Sequence, residues 1–405
     1  MLTSAKTVQR KKKERIVSNK AFNFTANLLN KYLQFPAAKN SLYSSSDINH
    51  CPIELSLSKN YAESGLACPS EKYSLPNRVP TGRTFRGRIE RLAEKQIREA
   101  LIAANDEVLL ILRCYSIFKR KATVAIDYTR QPFYGDPATK NVTGGKHERG
   151  TSWGYIYASI DVVEAGRRLT VYSCTVNQFS EKAEIVEKLI TKARERGIHI
   201  SVVLLDREFF TVSVISALKR LGVYFIMPAV KNDTVKEAML NYSEKKPAKR
   251  FTLGKKSESV NFNLYLCKRT AEQLPKKKLA VSDLYFGFAT NLPRSLAIKL
   301  PLFIPQEYRR RWGIETGYRV QNHALAKTTS VNFKLRLLYQ MASVLLYNVW
   351  HFANFLLCRA LKRQFDKPIL ALTWLAVHFE GFVVGGLRAT SALKQSELQI
   401  EETTA

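Results

Sequence analysis

The chain has 405 residues, 45% of them hydrophobic, which supports a sizeable buried core and two or three domains and excludes a globally disordered chain. Lys and Arg total 64 against 34 Asp and Glu, a formal net charge of +30; self-repulsion of that size calls for a polyanionic partner, nucleic acid first and an anionic membrane surface second. Six cysteines (Cys51, Cys68, Cys114, Cys174, Cys267, Cys358) form no C-x-x-C pair and no zinc spacing, so they read as reduced thiols in a reducing compartment, and the basic start (Lys11, Lys12, Lys13) lacks the apolar run of a signal peptide.

Residues 1–80 read as a basic, partly irregular arm with one helix near Phe22 to Leu33 and a Ser-rich patch at Ser41, Ser44, Ser45 and Ser46. From Thr81 to Ala103 the spacing predicts a helix within an 81–120 DNA-binding or linker region. Its arginines (Arg83, Arg86, Arg88, Arg91, Arg98) suit either a DNA backbone or a solvated face. The period then changes. Ala122 to Ile126 is an apolar run ending at Asp127, and Gly154 to Val163 and Leu169 to Val176 are strands. Glu181 to Arg196 is an amphipathic helix stopped by Gly197. Ile200 to Leu205 is a buried strand ending at Asp206, Val212 to Leu221 a helix, and Val223 to Met227 a strand closed by Pro228. Three antiparallel strands leading into parallel crossovers predict a mixed α/β sheet with flanking helices over 121–230.

Residues 231–300 read as a basic, β-rich insertion. Lys245, Lys246, Lys249, Arg250, Lys255, Lys256, Lys268, Arg269, Lys276, Lys277 and Lys278 alternate there with strand-like pieces at Val260 to Cys267 and Leu284 to Ala289. Residues 301–362 are expected to be helical and to complete the core. Residues 363–405 hold a last helix, about Ile369 to Phe379, and a frayed tail after Thr390. Leu337 to Cys358 has the length of a membrane span, but Gln340, Asn348, His351 and Asn354 interrupt it, so a buried helix with polar partners is expected and no membrane.

Two-metal phosphodiester chemistry needs acidic side chains that converge on one point, and carboxylate oxygens suit Mg²⁺, with Mn²⁺ as a substitute. Asp127 and Asp206 each end a buried run, where open α/β sheets bind ligands. Two readings of Asp206 stand, a catalytic acid or an N-cap of the following helix. Asp136, in a Gly-Asp-Pro turn, and Asp161, in a less sharply ended strand, occupy poorer settings. The third acid is Glu315: Tyr308, Arg311, Glu315, Tyr318 and Asn322 recur at helical spacing and so lie on about one face. Arg311 there suits a phosphate fork and Tyr308 a hydrogen bond or stack on the same strand; an exposed helix with intrahelical ion pairs is the plainer alternative. Trp312 suits either base stacking or packing, and Trp153 is expected in the core. His147, His199 and His323 have no spacing that supports a metal or triad role. Gly144-Gly145 is no phosphate loop, since no G-K-[ST] follows.

Around these residues the sequence resembles the DDE insertion-sequence transposases that carry a Tyr-x-x-Arg-x-x-x-Glu-x-x-x-x-x-x-Lys signature, archaeal members especially. The resemblance covers roughly Ala122 to Phe355 and is sharpest at Ala125-Ile126-Asp127, at Leu205-Asp206-Arg207-Glu208-Phe209-Phe210 and over Tyr308 to Arg319. It implies a ribonuclease-H-like sheet with a β insertion between the second and third acids. It also implies Asp127, Asp206 and Glu315 as catalytic acids holding two Mg²⁺ or Mn²⁺ ions, and Tyr308 and Arg311 on the DNA end. One departure stands out: Asn322 replaces the signature Lys, leaving Arg319 or Lys327 to substitute. The implied activity is metal-dependent strand cleavage at element ends, followed by attack of the freed 3′-hydroxyl on another phosphodiester. Double-stranded DNA, both element ends and target, is the implied partner, a homodimer assembled on DNA the implied state, and a cytoplasmic, nucleoid-associated location is expected. The rival expectations are a ribonuclease-H-like nuclease without strand transfer and an inactive or repurposed transposase-derived DNA-binding protein.

Overall fold

The computed structural model describes residues 2–36, 38, 40–72, 79–242, 247–255, 258–269 and 280–372. The chain divides into two compact units, Met1–Ile111 with Arg319–Ala405, and Leu112–Tyr318.

The first unit is helical. Its elements are α1 (Leu2–Tyr32), α2 (Ser45–Ser58), α3 (Ala62–Lys72), α4 (Gly82–Glu90), most of α5 (Glu94–Cys114) and, late in the chain, a 28-residue helix Phe333–Ala360. The expectation of an irregular 1–80 segment is therefore corrected, because local capping stabilises helices that apolar spacing conceals. Ser44 accepts a hydrogen bond from the Asp47 N–H while the Asp47 carboxylate accepts from the Ser44 N–H, a reciprocal cap at the start of α2. Pro52 inside that helix is the residue that disguises it. The single helix expected from Thr81 is two: Thr81 caps α4, and the chain breaks after Glu90 before α5 begins. Several of its arginines are engaged locally, Arg86 with Glu63 at 2.6 Å, Arg88 with Pro36 O and Ser41, and Arg98 with Glu94.

The Phe333–Ala360 helix packs on α1, α2 and α4. It is long and apolar enough to cross a membrane, yet 83% of its most apolar window is buried inside this unit. Two of the amides that interrupt it are hydrogen-bonded there, as a core helix requires. Asn348 donates to Asn105 Oδ1 at 2.6 Å. Asn354 Oδ1 accepts from the N–H groups of Ile369 and Leu370 at 2.8 and 2.7 Å, and its Nδ2 donates to Trp350 O and Leu370 O. Ile369 and Leu370 are thus held as an irregular strap, and the rest of the helix expected to reach Phe379, like the tail after Thr390, lies outside the described residues.

The second unit is built on a nine-stranded sheet. Its elements in order are β1 (Ala122–Pro132), β2 (Thr143–Glu148), β3 (Thr151–Glu164), β4 (Arg167–Val176), α6 (Lys182–Glu195), β5 (Ile200–Leu205), α7 (Val212–Arg220), β6 (Phe225–Pro228), α8 (Asp233–Leu240), β7 (Ala248–Lys255), β8 (Glu258–Lys268), β9 (Tyr285–Thr290), α9 (Arg294–Lys299), α10 (Phe303–Arg309) and α11 (Trp312–Gln321), whose last turn belongs to the helical unit; the Phe333–Ala360 helix is accordingly α12. The strand order is β2-β3-β1-β5-β6-β9-β8-β7, with β4 also on β3. β1 runs antiparallel to β3 and parallel to β5, and β5 is parallel to β6, as the sequence pattern requires. The residues read as an insertion do not form a separate layer: β9 pairs antiparallel with β6, so the β7–β8 hairpin prolongs the same sheet. Of its basic residues, Lys245, Lys246, Lys256, Lys276, Lys277 and Lys278 lie outside the described residues.

On one face of the sheet Ala125, Val163, Val202, Leu204 and Ile226 pack with Ile304, Ile314 and Tyr318 of α10 and α11. The alternate residues Val203 and Leu205 are also buried, as in a strand covered on both sides. Among the described residues Cys51, Cys114, Cys174, Cys267 and Cys358 are free thiols.

Candidate active site

β1 is central, and it does not end at Asp127. It continues to Pro132 because its antiparallel partner β3 does, with Asp127 opposite Ser159. What ends at Asp127 is full burial: residues 122–126 are buried and the next six are half-buried. On the other side Ile126 is in register with Leu205 of the parallel β5. The next residue on each strand is an acid, Asp127 and Asp206, so the two carboxylates leave neighbouring strands at one level. Asp206 occupies the N-cap position of a short 3₁₀ turn, Arg207–Phe209, but its side chain makes no capping bond. That removes the capping explanation of this residue.

The third acid arrives on a helix whose geometry differs from the expectation. Residues 308–322 are not one helix: α10 stops at Arg309, α11 begins at Trp312, and Asn322 falls in a following 3₁₀ turn. The break is pinned at Arg310, which pairs with Glu307 at 3.3 Å and with Glu164 at 3.8 Å. Thr123, at the start of β1, donates to both acids, its N–H to Glu164 at 2.9 Å and its hydroxyl to Glu307. Past the break, Tyr318 donates to the main-chain oxygen of Asp127 at 2.8 Å and its oxygen lies 2.9 Å from Ser159 Oγ. Gly313 lies against β3, where an added Cβ would come 2.9 Å from the Val163 Cβ. These contacts fix α11 on the two strands opposite each other at the site.

Arg311 is the centre of the arrangement. Its Nη1 donates to Asp127 Oδ2 at 2.9 Å and its Nη2 to Glu315 Oε1. Its side chain is only 10% exposed. Burial opposes its charge, yet Tyr308, Asp127, Asp206 and Glu315 together hold its pKa above the ordinary value, so all three predicted acids act on one guanidinium. Burial pushes the Asp127 carboxyl up to about 6; Arg311 and the Tyr128 N–H pull against that, while Asp206 and Glu208 add repulsion. Burial likewise raises Glu208, with Lys182 opposing and Asp206 reinforcing the shift. Beneath the site lies a further acid, Asp161, buried and bonded by Ser159 Oγ at 2.6 Å and Thr170 Oγ1 at 2.9 Å, its carboxyl raised to about 7 by burial.

The structure therefore brings together Asp127, Asp206, Glu315, Arg311 and Tyr308. Tyr308 is not an exposed phenol: it is half-buried against Phe288, with ring centroids 5.1 Å apart, and its ring lies 5.9 Å from the Arg311 guanidinium. Trp312 is 60% exposed. Trp153, expected in the core, is 39% exposed and lies over Gly144 on the β2–β3 pair, a correction that follows from its place near a sheet margin. Arg319 and Lys327 belong to the helical unit; Lys327 is exposed with its ammonium 5.9 Å from the Tyr61 ring centroid. His147, His199 and His323 are exposed. The intrahelical pair of Arg311 with Glu315 was the plainer of the two sequence readings; the bond of Arg311 to Asp127, across the fold, was not foreseen. Sequence reasoning also missed Tyr318 as a clamp and Glu208 as a fourth nearby acid, and it set aside Asp161, whose apolar neighbours Ile160, Val162 and Val163 were the clue to its burial.

The donor set suits a hard divalent cation: carboxylate oxygens from two adjacent strands and a helix. Among the described residues no group of three His, Cys, Asp or Glu side chains is placed so that it could hold a metal ion. The guanidinium of Arg311 bridges two of the acids.

A sheet with three antiparallel strands feeding parallel crossovers, covered by helices and bearing acids at adjacent strand positions, is a ribonuclease-H-like fold. Among solved structures it is similar to the piggyBac transposase of a synaptic complex with hairpin DNA, with a TM-score of 0.54 at 11% identity, over 89% of this chain and 79% of that one. Two Mos1 structures, a strand transfer complex and a pre-cleavage transpososome, match at a TM-score of 0.17 with 13% and 10% identity; they cover 47% of this chain and 59% and 60% of theirs, and at that score they carry no weight. No curated protein matches the chain. Residues 119–325, just over half of the sequence, match the transposase DDE domain family, and the chain belongs to that family.

Proposed function

We propose that the protein is a DNA transposase of the Tyr-Arg-Glu signature type, akin to the archaeal insertion-sequence enzymes, that cleaves and joins strands at the ends of its element. The observation that supports this reading is that Arg311 bonds both Asp127 of β1 and Glu315 of α11, while Asp206 follows β5 at the level of Asp127. Asp127, Asp206 and Glu315 would hold Mg²⁺, or Mn²⁺ in its place, as a pair of ions. When bound, the ions supply Lewis-acid stabilisation of the attacking and leaving oxygens of the phosphodiester.

The chain's own residues do the rest. Tyr318 and the Arg310 cluster hold α11 against β1, so that Glu315 has a fixed approach to the strand acids. Tyr308 and Arg311 offer a phenol and a planar fork to the phosphates of the DNA end. Trp312, exposed at the start of α11, offers an aromatic face for an unpaired base. Arg319 and Lys327 are positive side chains for the phosphate contact that Asn322 cannot make. The partner is double-stranded DNA, bound by a homodimer that assembles on two element ends. A second reading, a repurposed binding protein, rests on Asn322 alone.

The test is a strand-transfer assay with flanking element ends, comparing wild type with Asp127→Ala, Asp206→Ala and Glu315→Ala. Each variant is expected to lose roughly 10³-fold or more of its activity, the scale for groups acting in the transition state, while binding DNA. Strand joining that survives all three substitutions sinks the site assignment. Cleavage without joining by the wild type identifies a nuclease, and binding without cleavage a repurposed copy.

A further inference from the structure

Without DNA or metal, Arg311 is held between two of the acids. Its side chain is 10% exposed, against 31% for Glu315 and 13% for Asp127, and it spans these two acids through two separate nitrogens. Its Nε is buried without a hydrogen-bond partner among the described residues, so the bridge does not satisfy the whole guanidinium. Buried carboxylates that must persist without a cation need some other positive charge, since an uncompensated buried charge is strongly destabilising.

We propose that Arg311 is a built-in counter-ion of the acid cluster, competing with the divalent cation for Asp127 and Glu315, and that its guanidinium leaves the two carboxylates when the ion is taken up. The proposal rests on the reading of Asp127, Asp206 and Glu315 as metal ligands. It adds a residue that keeps the empty site assembled and taxes cation affinity. The closed, Arg311-bridged arrangement cannot bind the ion, so the apparent affinity falls by the fraction of molecules that are open. Two anchors distinguish Arg311 from Lys at this position: an ammonium is a compact point charge without the planar fork that reaches two acids at once.

The competition is read directly by titrating full-length protein with Mn²⁺, without DNA, and following the free ion by electron paramagnetic resonance. Arg311→Gln is expected to bind Mn²⁺ about tenfold or more tightly than wild type, the factor for a site at least 90% closed. Arg311→Lys is expected to fall between the two. Without metal, Arg311→Gln should melt below wild type, and saturating Mn²⁺ should raise its Tm by more than it raises that of wild type. If Arg311→Gln does not fold without metal, the Lys variant alone decides: affinity no higher than wild type overturns the proposal. Equal or weaker Mn²⁺ binding by Arg311→Gln also overturns it, while loss of binding in Asp127→Ala leaves the ligand assignment standing. Mn²⁺ binding indifferent to Asp127→Ala and Asp206→Ala instead removes the ligand assignment, and this proposal with it.

Discussion

In the helical unit the buried polar side chains include six amides, Asn49, Asn105, Gln321, Gln340, Asn348 and Asn354, beside Arg336 and His351. In the sheet unit they include Asp161, Glu307 and Arg311. Among the described residues every buried carboxylate thus lies in the sheet unit. The two choices have different consequences. An amide that accepts and donates to backbone holds a strap or a helix in register and responds to neither protons nor cations. A buried carboxylate holds its surroundings only while its charge is compensated, so the unit that contains it is sensitive to both.

The sharpest way to break this contrast is to neutralise a charge with little change of shape. Asp206→Asn is expected to lower strand cleavage by roughly 10³-fold while shifting unfolding free energy by less than about 1 kcal/mol, because its side chain supports no cap; a large loss of stability in urea titration would make Asp206 structural. Next comes the helical unit. Asn354→Leu strands the N–H groups of Ile369 and Leu370 and is expected to cost about 2–4 kcal/mol in the same titration, with the specific activity of the folded fraction unchanged.

A pH series separates the units more finely. The Asp161 carboxyl is raised from 3.8 to about 7, so the folded protein binds a proton that the unfolded chain releases. Its contribution to stability is complete below the unfolded pKa and is lost as pH rises through the folded one. Metal-free protein should therefore lose melting temperature from about pH 4 to pH 7. Asp127, raised to about 6, acts with the same sign. Asp161→Asn is expected to flatten most of this slope; a slope unchanged in that variant means Asp161 stays ionised. The smallest effect is reserved for an exposed pair. Lys192→Ala, which removes a 2.8 Å contact with Glu195, should change stability by less than about 0.5 kcal/mol.

The parts legible in the sequence are those where burial and period agree. β5 spans the run Ile200–Leu205 that its apolar residues mark, and α6 ends beside Gly197 as expected. The antiparallel-then-parallel sheet order follows from the same patterns, and so do two acids at strand positions. The length of β1 was less legible, because half-buried pairing with β3 keeps Tyr128 to Pro132 extended after the apolar run has stopped. The helices of the first 80 residues were concealed by serines, a proline and a basic run. The break at Arg310–Arg311 was concealed because Tyr308, Arg311, Glu315 and Tyr318 keep helical spacing across it. Nothing local reveals Glu164 and Glu307, 143 positions apart by subtraction of their numbers, sharing Arg310 and Thr123. The family resemblance supplied the third acid; the sequence alone offered only a mixed polar face.

The contact at Gly313 sets the seat of α11. With Val163 Cβ 2.9 Å from where a side chain would begin, the helix rests on the strand backbone-first, and the missing methyl group fixes its height. A bearing of this kind resists movement toward or away from the sheet while offering no directional bond. Any exchange of partners among Arg311, Asp127 and Glu315 is consequently a matter of side-chain rotation above a stationary floor.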